Sequence, residues 1–129
     1  MILDSTFLVD FERERRRGEA GPAVGFLRAH ENISFAITFT IAGELAAGRS
    51  LGLDREKWEL FIQPFRLYEY NAEVAWLFGH AFRQLRRDGL MIGANDLWIA
   101  ATAMANKTTV VTRNDREFSR INGLSVLSY

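Results

Sequence analysis

The chain opens with the stretch MILDSTFLVD, residues 1–10, and the interpretation of the fold starts from it. Its first three residues are apolar and are followed by Asp4, a pattern typical of a short buried strand. Ser5 or Thr6 is suited to cap the segment that comes next. That segment has the spacing of an amphipathic helix, which we expect to end at Gly18. The stretch therefore predicts a strand followed at once by a helix.

The same alternation of short strands and helices continues along the chain. Four more strands are predicted from short apolar or β-branched runs, at 33–37, 65–68, 109–112 and 124–127. The further predicted helices are 22–30, 38–48, 55–62, 71–87 and 94–106, the last with Asn95 as its N-cap. Short strands that alternate with helices predict a parallel sheet covered by helices on both faces.

The length and composition indicate one ordinary globular domain. The chain has 129 residues, so we expect residues 1–129 to form a single domain with one core. Hydrophobic residues make up 48% and charged residues 25%, which excludes a disordered or fibrous chain. The 16 basic residues balance the 16 acidic ones, so any attraction to nucleic acid must come from local patches.

The sequence lacks cysteine and any long apolar stretch, which limits the metal ligands and the cellular locations to be considered. The sequence has no cysteine, which excludes disulfides and thiolate metal sites and leaves carboxylates, two histidines and backbone carbonyls as ligands. The longest uncharged stretch of the first half, 32–43, is shorter than the ~20 apolar residues that span a bilayer. The N-terminal segment carries Asp4 and lacks the basic residues of a signal peptide. We expect a soluble cytoplasmic protein with no membrane segment.

Carboxylates lie close to the ends of several predicted strands. Asp4 follows the first strand, Glu44 lies near the junction between the second strand and its helix, and Asp96 begins a later helix. Asp115 and Glu117 follow the fourth strand. Ligands of open parallel sheets bind outside the carboxyl ends of the strands, so these acids should converge on one rim. Crowded carboxylates repel each other and normally exist to hold a hard cation such as Mg²⁺ or Mn²⁺. This pattern indicates a metal-dependent nuclease.

Taken singly, two of these acids also have simpler structural explanations. Asp4 could cap the first helix, and Asp96 could interact with the positive end of its own helix, which is worth roughly 0.3–1 kcal/mol. Glu44 is harder to explain in this way, because it lies beside the apolar residues Ile41 and Leu45 and carboxylates are rarely buried unless paired. Their shared location favours the functional interpretation for all three.

Four segments of the chain carry a shared pattern: ILDSTFLVD (2–10), TFTIAGEL (38–45) with Gly48, IGANDLWIAATA (92–103) and VVTRNDREF (110–118). Together these segments resemble the PIN domain, and specifically its VapC-type toxin branch. The resemblance covers essentially the whole chain. It implies a three-layer α/β/α sandwich with a short parallel sheet and an endoribonuclease that depends on Mg²⁺ or Mn²⁺. It also implies the toxin of a type II toxin–antitoxin pair, usually a homodimer.

The resemblance also assigns the site residues. Asp4, Glu44 and Asp96 match the metal-binding acids of the family. Thr6 matches a small polar position that supports the first acid, and Thr112 matches the polar residue that ends the fourth strand. For the mechanism, Asp4 and Asp96 are expected to hold the metal, while Glu44 binds it or orients the attacking water.

The fourth acidic position of the family is occupied differently here. Many PIN domains have an aspartate where this chain has Asn114, and VapC-type members often have asparagine there with an acid shortly after. Asp115 or Glu117 is expected to take that role, and Asp115 is counted among the catalytic residues. If neither reaches the metal, a second cation would be held loosely or only with substrate, and a site with one metal at rest is then expected.

The resemblance further implies two partners, an RNA substrate and an antitoxin protein. The antitoxin would lie across the active-site groove, with Phe11, Phe26 and Trp58 as candidate contacts that could equally belong to the core. Arg113 or Arg116 could position the RNA backbone.

Three other functions are compatible with a parallel α/β domain that carries an acidic site. An inactive PIN-like module that binds RNA or protein remains the alternative, although such a module has no reason to keep mutually repelling acids. A phospho-acceptor receiver needs paired acids after the first strand, but Ser5 follows Asp4. A haloacid-dehalogenase-type phosphatase needs a second aspartate two residues later, where this chain has Thr6.

Overall fold

The structure, a computed structural model, describes all residues from 1 to 129 as five short strands and seven helices. The strands are β1 (Ile2–Leu3), β2 (Ala36–Thr38), β3 (Arg66–Tyr68), β4 (Thr109–Val111) and β5 (Ser125–Leu127). The helices are α1 (Ser5–Arg17), α2 (Pro22–Ala29), α3 (Phe39–Ala47), α4 (Arg55–Ile62), α5 (Ala72–Asp88), α6 (Ala94–Ala105) and α7 (Asp115–Phe118).

All five strands belong to one parallel sheet with the order β3-β2-β1-β4-β5. The chain builds one half of the sheet outward from β1 through β2 and β3, and the other half through β4 and β5. The direction of winding therefore reverses between β1 and β4, which is the point where open α/β sheets place their ligands. Helices cover the sheet in a three-layer α/β/α sandwich, so the predicted fold class is confirmed.

The centre of the sheet is buried on both faces because its strands are apolar throughout. Ile2 and Leu3 of β1 and Val110 and Val111 of β4 are fully buried. Continuous apolar strands of this kind are typical of a parallel sheet between two helical layers. The centre therefore gives the residues that follow β1 and β4 a rigid base.

Several helix ends follow the capping chemistry expected from the sequence. Thr38 accepts the N–H of Ile41 at the start of α3, and Asn71 accepts the N–H of Val74 at the start of α5. Gly18 ends α1 at φ 68°, the left-handed conformation that glycine adopts without strain. The predicted end of the first helix is confirmed.

The long helix α5, with 17 residues, buries only one side. Val74, Ala81 and Leu85 are buried at helical spacing, whereas Trp76 and the charged residues of the last turn are exposed. No helix of the structure is both long and apolar enough to cross a bilayer.

The structure differs from the sequence expectations at three places. β2 begins at Ala36 and not at 33, because Ile33 belongs to a turn in which its N–H bonds the carbonyl of His30. Asn95 does not cap α6; Gly93 occupies the N-cap position without a side-chain hydrogen bond. The short helix α7 was not predicted from the sequence, and its four residues are too few for an apolar period to appear.

Candidate active site

Asp4 lies at the carboxyl end of β1, directly at the reversal point of the sheet. Its side chain is 4% exposed, and its Oδ1 accepts the backbone N–H of Phe7 at 2.8 Å, so it does cap α1. Thr6 Oγ1 lies 2.8 and 2.9 Å from the two carboxylate oxygens, and Thr112 Oγ1 donates to Oδ2 at 2.5 Å. The cap therefore also fixes a carboxylate at the rim.

The pKa of Asp4 is raised above its usual value, mainly because burial disfavours its charge. Hydrogen bonds from Thr112, Phe7 and Thr6 act against that rise, and the nearby charge of Glu44 adds to it. Three donors thus stabilise a buried carboxylate that has no cation beside it among the protein's own side chains.

Asp96 lies in the first turn of α6 and is half-buried. Its pKa is raised to about 6, first by burial and then by the charges of Glu44, Glu117 and Asp4. The side-chain amide of Asn114 acts in the opposite direction by donating to Asp96 Oδ2 at 3.3 Å. The structure therefore brings the predicted acids Asp4 and Glu44 close enough to Asp96 for their charges to raise its pKa.

Glu44 lies in the second half of α3, further from the end of β2 than the sequence suggested. Its Oε1 accepts a hydrogen bond from Asn95 Nδ2 at 3.0 Å. Its Oε2 is buried and has no hydrogen-bond partner. A buried carboxylate oxygen without a partner is costly in a folded protein, and a bound ion, a water or a catalytic role would account for it.

Of Asp115 and Glu117, the two acids expected at the fourth position, the structure places Glu117 next to Asp96. Asn114 Nδ2 donates both to Asp96 Oδ2 and to Glu117 Oε2, the latter at 3.1 Å, and so links the two acids. Asp115 is exposed at the start of α7, and its Oδ1 accepts the N–H of Arg116. Glu117 lies beside Asn114 because α7 is helical, and residues three positions apart share one side of a helix.

Asp4, Glu44, Asp96 and Glu117 supply carboxylate oxygens, the ligands that a hard divalent cation prefers. Their side chains are not arranged as a complete set of metal ligands. No group of three or more His, Asp or Glu side chains lies close enough together to hold a metal ion as it stands. Mg²⁺ keeps several of its waters and is usually held by one or two carboxylates, so it does not need such a cage. A bound cation would give the partnerless oxygen of Glu44 a partner to contact, and it would lower the raised pKa of Asp96.

The arginines and aromatic residues named as candidate RNA or antitoxin contacts differ in their exposure. Arg113 and Arg116 are exposed beside the rim, on the segment between β4 and α7 and on α7 itself. Phe11, Phe26 and Trp58 are partly buried against the core, and Trp58 Nε1 donates to the carbonyl of Ala42 at 3.0 Å. The last three therefore have a packing role.

The fold and the acidic rim define a parallel α/β domain with a carboxylate site at the reversal point of its sheet. The PIN domain family matches the chain over residues 1–124, and the chain belongs to this family. This result confirms the resemblance found in the four segments.

Individual relatives are consistent with the VapC branch of that family. The protein named Ribonuclease VapC2 of Rickettsia felis is 34% identical over 98 residues, which are 73% of each chain. Ribonuclease VapC1 of Methanocaldococcus jannaschii is 26% identical over 129 residues, covering 100% of this chain and 86% of the relative. The solved structure of VapBC2 from Rickettsia felis bound to a promoter DNA fragment superposes with a TM-score of 0.81 at 25% identity, covering 99% of this chain and 97% of the other.

Proposed function

We propose that residues 1–129 form a single nuclease domain, a divalent-metal-dependent endoribonuclease that hydrolyses RNA phosphodiester bonds as the toxin of a toxin–antitoxin pair. The observation that carries the proposal is the buried, partnerless Oε2 of Glu44 beside Asp96, whose pKa is raised to about 6. A cation would stabilise both groups at once. The VapC relatives, which are named ribonucleases, support RNA as the substrate.

Asp4, Asp96 and Glu44 would hold the ion, with Glu117 in the fourth position. When bound, Mg²⁺ or Mn²⁺ supplies stabilisation of charge on the phosphoryl oxygens and a water of lowered pKa. Oxygen-rich sites suit both ions. Asn114 keeps Glu117 beside Asp96 and so prevents the two acids from separating under their mutual repulsion.

Asp4, Asp96 and Glu44 would each have a different role in hydrolysis. Asp4 is fixed in place because Thr6, Thr112 and the N–H of Phe7 donate to it, and these hydrogen bonds oppose the rise in its pKa that burial causes. Asp96 is mostly ionised at neutral pH, since its pKa is about 6. Glu44 is held through Oε1 and has Oε2 available to accept a hydrogen bond from the attacking water.

The proposal is tested by incubating the protein with a panel of structured RNAs, transfer RNAs included, in Mg²⁺, Mn²⁺ or EDTA. Asp4→Ala and Asp96→Asn should abolish a cleavage that requires metal. Glu59→Gln is the matched control, because Glu59 is exposed on α4 and pairs with Arg55 away from the rim. Glu117→Gln should lose more activity than Asp115→Asn. A larger loss of activity in Asp115→Asn than in Glu117→Gln would indicate that Asp115 takes the fourth acidic position.

Direct metal titration separates the enzyme from the inactive alternative. Mn²⁺ binding by the wild-type protein, weakened in Asp96→Asn but not in Glu59→Gln, supports the proposed site. A folded wild-type protein that binds neither Mg²⁺ nor Mn²⁺ would favour the PIN-like module that acts through contacts alone.

An antitoxin partner is supported by the solved VapBC2 complex and by a groove on this chain. The groove, of about 390 Å³, lies between α1 and α4 and has Leu51, Leu60 and Phe61 as its apolar part. Arg15, Arg16, Lys57 and Glu12 also line it, so it suits an amphipathic segment with acidic side chains. Leu60 is 62% exposed, so Leu60→Asp should fold, keep its nuclease activity and escape inhibition by the antitoxin.

A homodimer would cover an aromatic cluster in which Phe39 and Tyr70 are exposed and Trp98 and Phe78 are half-buried. Phe39 contacts Tyr70 edge to face, and Tyr70 and Phe78 both stack on Trp98, with ring centroids 5.3 and 4.0 Å away. Phe39 is 48% exposed in the isolated chain. Light scattering after gel filtration should show a dimer that Phe39→Ser weakens. Leu53→Ser, at an 88% exposed position, is the control.

A further inference from the structure

Asp10 of α1 is the centre of a cluster that the carboxylate site does not include. Its Oδ1 lies 3.1 Å from Arg13 Nη1, and its Oδ2 lies 3.0 Å from Arg113 Nη1. The hydroxyl of Tyr129 donates to the same Oδ2 at 2.9 Å. The side chain of Asp10 is 13% exposed, whereas those of Arg13 and Arg113 are 47% and 50% exposed. One carboxylate thus holds two accessible guanidinium groups.

The cluster is directly connected to the acidic rim. Arg113 stands between Thr112, which donates to Asp4, and Asn114, which donates to Asp96. The Arg113 guanidinium lies over the ring of Tyr129, 5.1 Å from its centroid. That ring in turn packs edge to face on Phe7, whose backbone N–H donates to Asp4. The position of Arg113 relative to Asp4 is therefore fixed from two sides.

Most of the hydrogen-bonding capacity of the two arginines remains free. A guanidinium has five N–H donors, and Asp10 engages one Nη1 of each arginine. Both arginines line a depression of about 220 Å³ together with Arg17. Glu14 also lines it, but its carboxylate is occupied by the N–H groups of Gly21, Ala23 and Val24 at the start of α2. The exposed acid Glu19 completes the charged residues there.

We propose that Arg113, with Arg13 beside it, binds a backbone phosphate of the RNA next to the scissile bond, and that Asp10 and Tyr129 are positioning residues for these arginines. The proposal rests on the proposed ribonuclease function and adds the residues that hold the substrate. An exposed ion pair stabilises a protein little, so stability alone does not account for two arginines and a tyrosine hydroxyl around one carboxylate. A guanidinium held in one orientation loses less entropy when it binds a phosphate.

The test measures binding of a fluorescent, mixed-sequence, single-stranded RNA by anisotropy, in EDTA and at several KCl concentrations. Arg113→Gln should weaken binding by about tenfold, as expected for a charge-assisted hydrogen bond. It should also reduce the slope of log K against log salt by about 0.7, the value for one phosphate contact on a single strand. Arg113→Lys keeps the charge and should restore the slope. Arg55→Gln is the matched control, since Arg55 is also exposed and ion-paired, on α4.

Asp10→Asn tests the positioning role because two explanations predict opposite signs. Removing a negative charge near the RNA should tighten binding if only net charge matters. If Asp10 orients the arginines, binding should weaken. Tyr129→Phe keeps the ring packed on Phe7 and removes only the hydroxyl, so it should fold and weaken binding less than Asp10→Asn.

The inference and the proposed function fail in different ways. Equal effects of Arg113→Gln and Arg55→Gln, or tighter binding by Asp10→Asn, would overturn the inference while metal-dependent cleavage by the wild type stands. A wild-type protein that neither binds this RNA nor cleaves any RNA of the panel in Mg²⁺ or Mn²⁺ would overturn both.

Discussion

Asn95 and Glu44, which are 51 residues apart in the chain, meet through a hydrogen bond from Asn95 Nδ2 to Glu44 Oε1 at 3.0 Å. The bond turns Glu44 so that its other oxygen is buried without a partner. Asn95 belongs to the first turn of α6, next to Asp96, so one turn of helix supplies both an acid and the group that orients another acid. The position of Glu44 on α3 therefore depends on the same turn of α6 that carries Asp96.

Replacing Asn95 by alanine should raise the Mn²⁺ concentration needed for half-maximal cleavage by about tenfold, the usual cost of losing a group that orients a metal ligand. Asn95 is exposed and caps no helix end, so the variant should unfold at nearly the wild-type temperature. Mn²⁺ titration calorimetry checks the affinity without relying on activity. Unchanged affinity would show that the hydrogen bond does not orient Glu44 for metal.

The raised pKa of Asp96 predicts a stability that depends on pH in a defined direction. The folded protein binds this proton with a pKa of about 6, above the ordinary value of 3.8, so ionised Asp96 destabilises the fold at neutral pH. Stability should rise as the pH falls through 6, because the folded state then takes up a proton that the unfolded state does not.

Asp96→Asn removes this penalty while it keeps an oxygen that can accept from Asn114. In EDTA near neutral pH the variant should be more stable than the wild type by about 1 kcal/mol, a value reduced for the partial exposure of the site. Urea unfolding followed by tryptophan fluorescence at two pH values measures the difference, which should shrink in acid. A constant difference would mean that protonation of Asp96 is not its source.

Much of the fold could be predicted because its signals are local. Apolar runs marked the strands, Gly18 marked the end of α1, and the alternation of elements implied a parallel sheet. Once the sheet is parallel, the acids that follow its strands must meet at one edge. The interpretation of Asp4 as a helix cap is confirmed, because Oδ1 caps α1, while Oδ2 accepts from Thr112 and so leaves the carboxylate at the proposed site.

The parts that could not be predicted depend on contacts between distant segments. Asn95 has the residue type of an N-cap, and only the packing of α3 against α6 gives its amide to Glu44 instead. The choice between Asp115 and Glu117 depends on a helix of four residues. Glu14 lies inside a charged run typical of a solvated surface, yet its carboxylate binds the start of α2.

Glu14→Gln should therefore destabilise the protein by roughly 1–2 kcal/mol, as for the loss of a helix cap. The carboxylate accepts the N–H groups of Gly21, Ala23 and Val24 at 3.1, 3.1 and 2.8 Å, and a glutamine offers one acceptor oxygen in place of two. Urea unfolding is the measurement. Glu19→Gln has the same charge change at an exposed neighbouring position and should leave the midpoint unchanged. Equal effects of the two variants would point to overall charge as the cause.

Thr112 and Thr38 form a matched pair that separates stability from site chemistry. Both are fully buried, and each hydroxyl accepts a backbone N–H, from Asn114 and Ile41 respectively, but only Thr112 also donates to Asp4. Valine at either position keeps the shape and leaves a buried N–H without its partner, so each variant should lose about 1–3 kcal/mol of stability.

Only Thr112→Val should change the site itself. Losing the hydrogen bond to Oδ2 removes a group that holds down the pKa of Asp4, so the proton competes better for this carboxylate. Mn²⁺ binding at neutral pH should weaken in Thr112→Val and stay at the wild-type level in Thr38→Val, in calorimetric titrations below the unfolding temperature of both. Equal loss of Mn²⁺ affinity in the two variants would mean that Thr112 acts through the stability of the fold and not through Asp4.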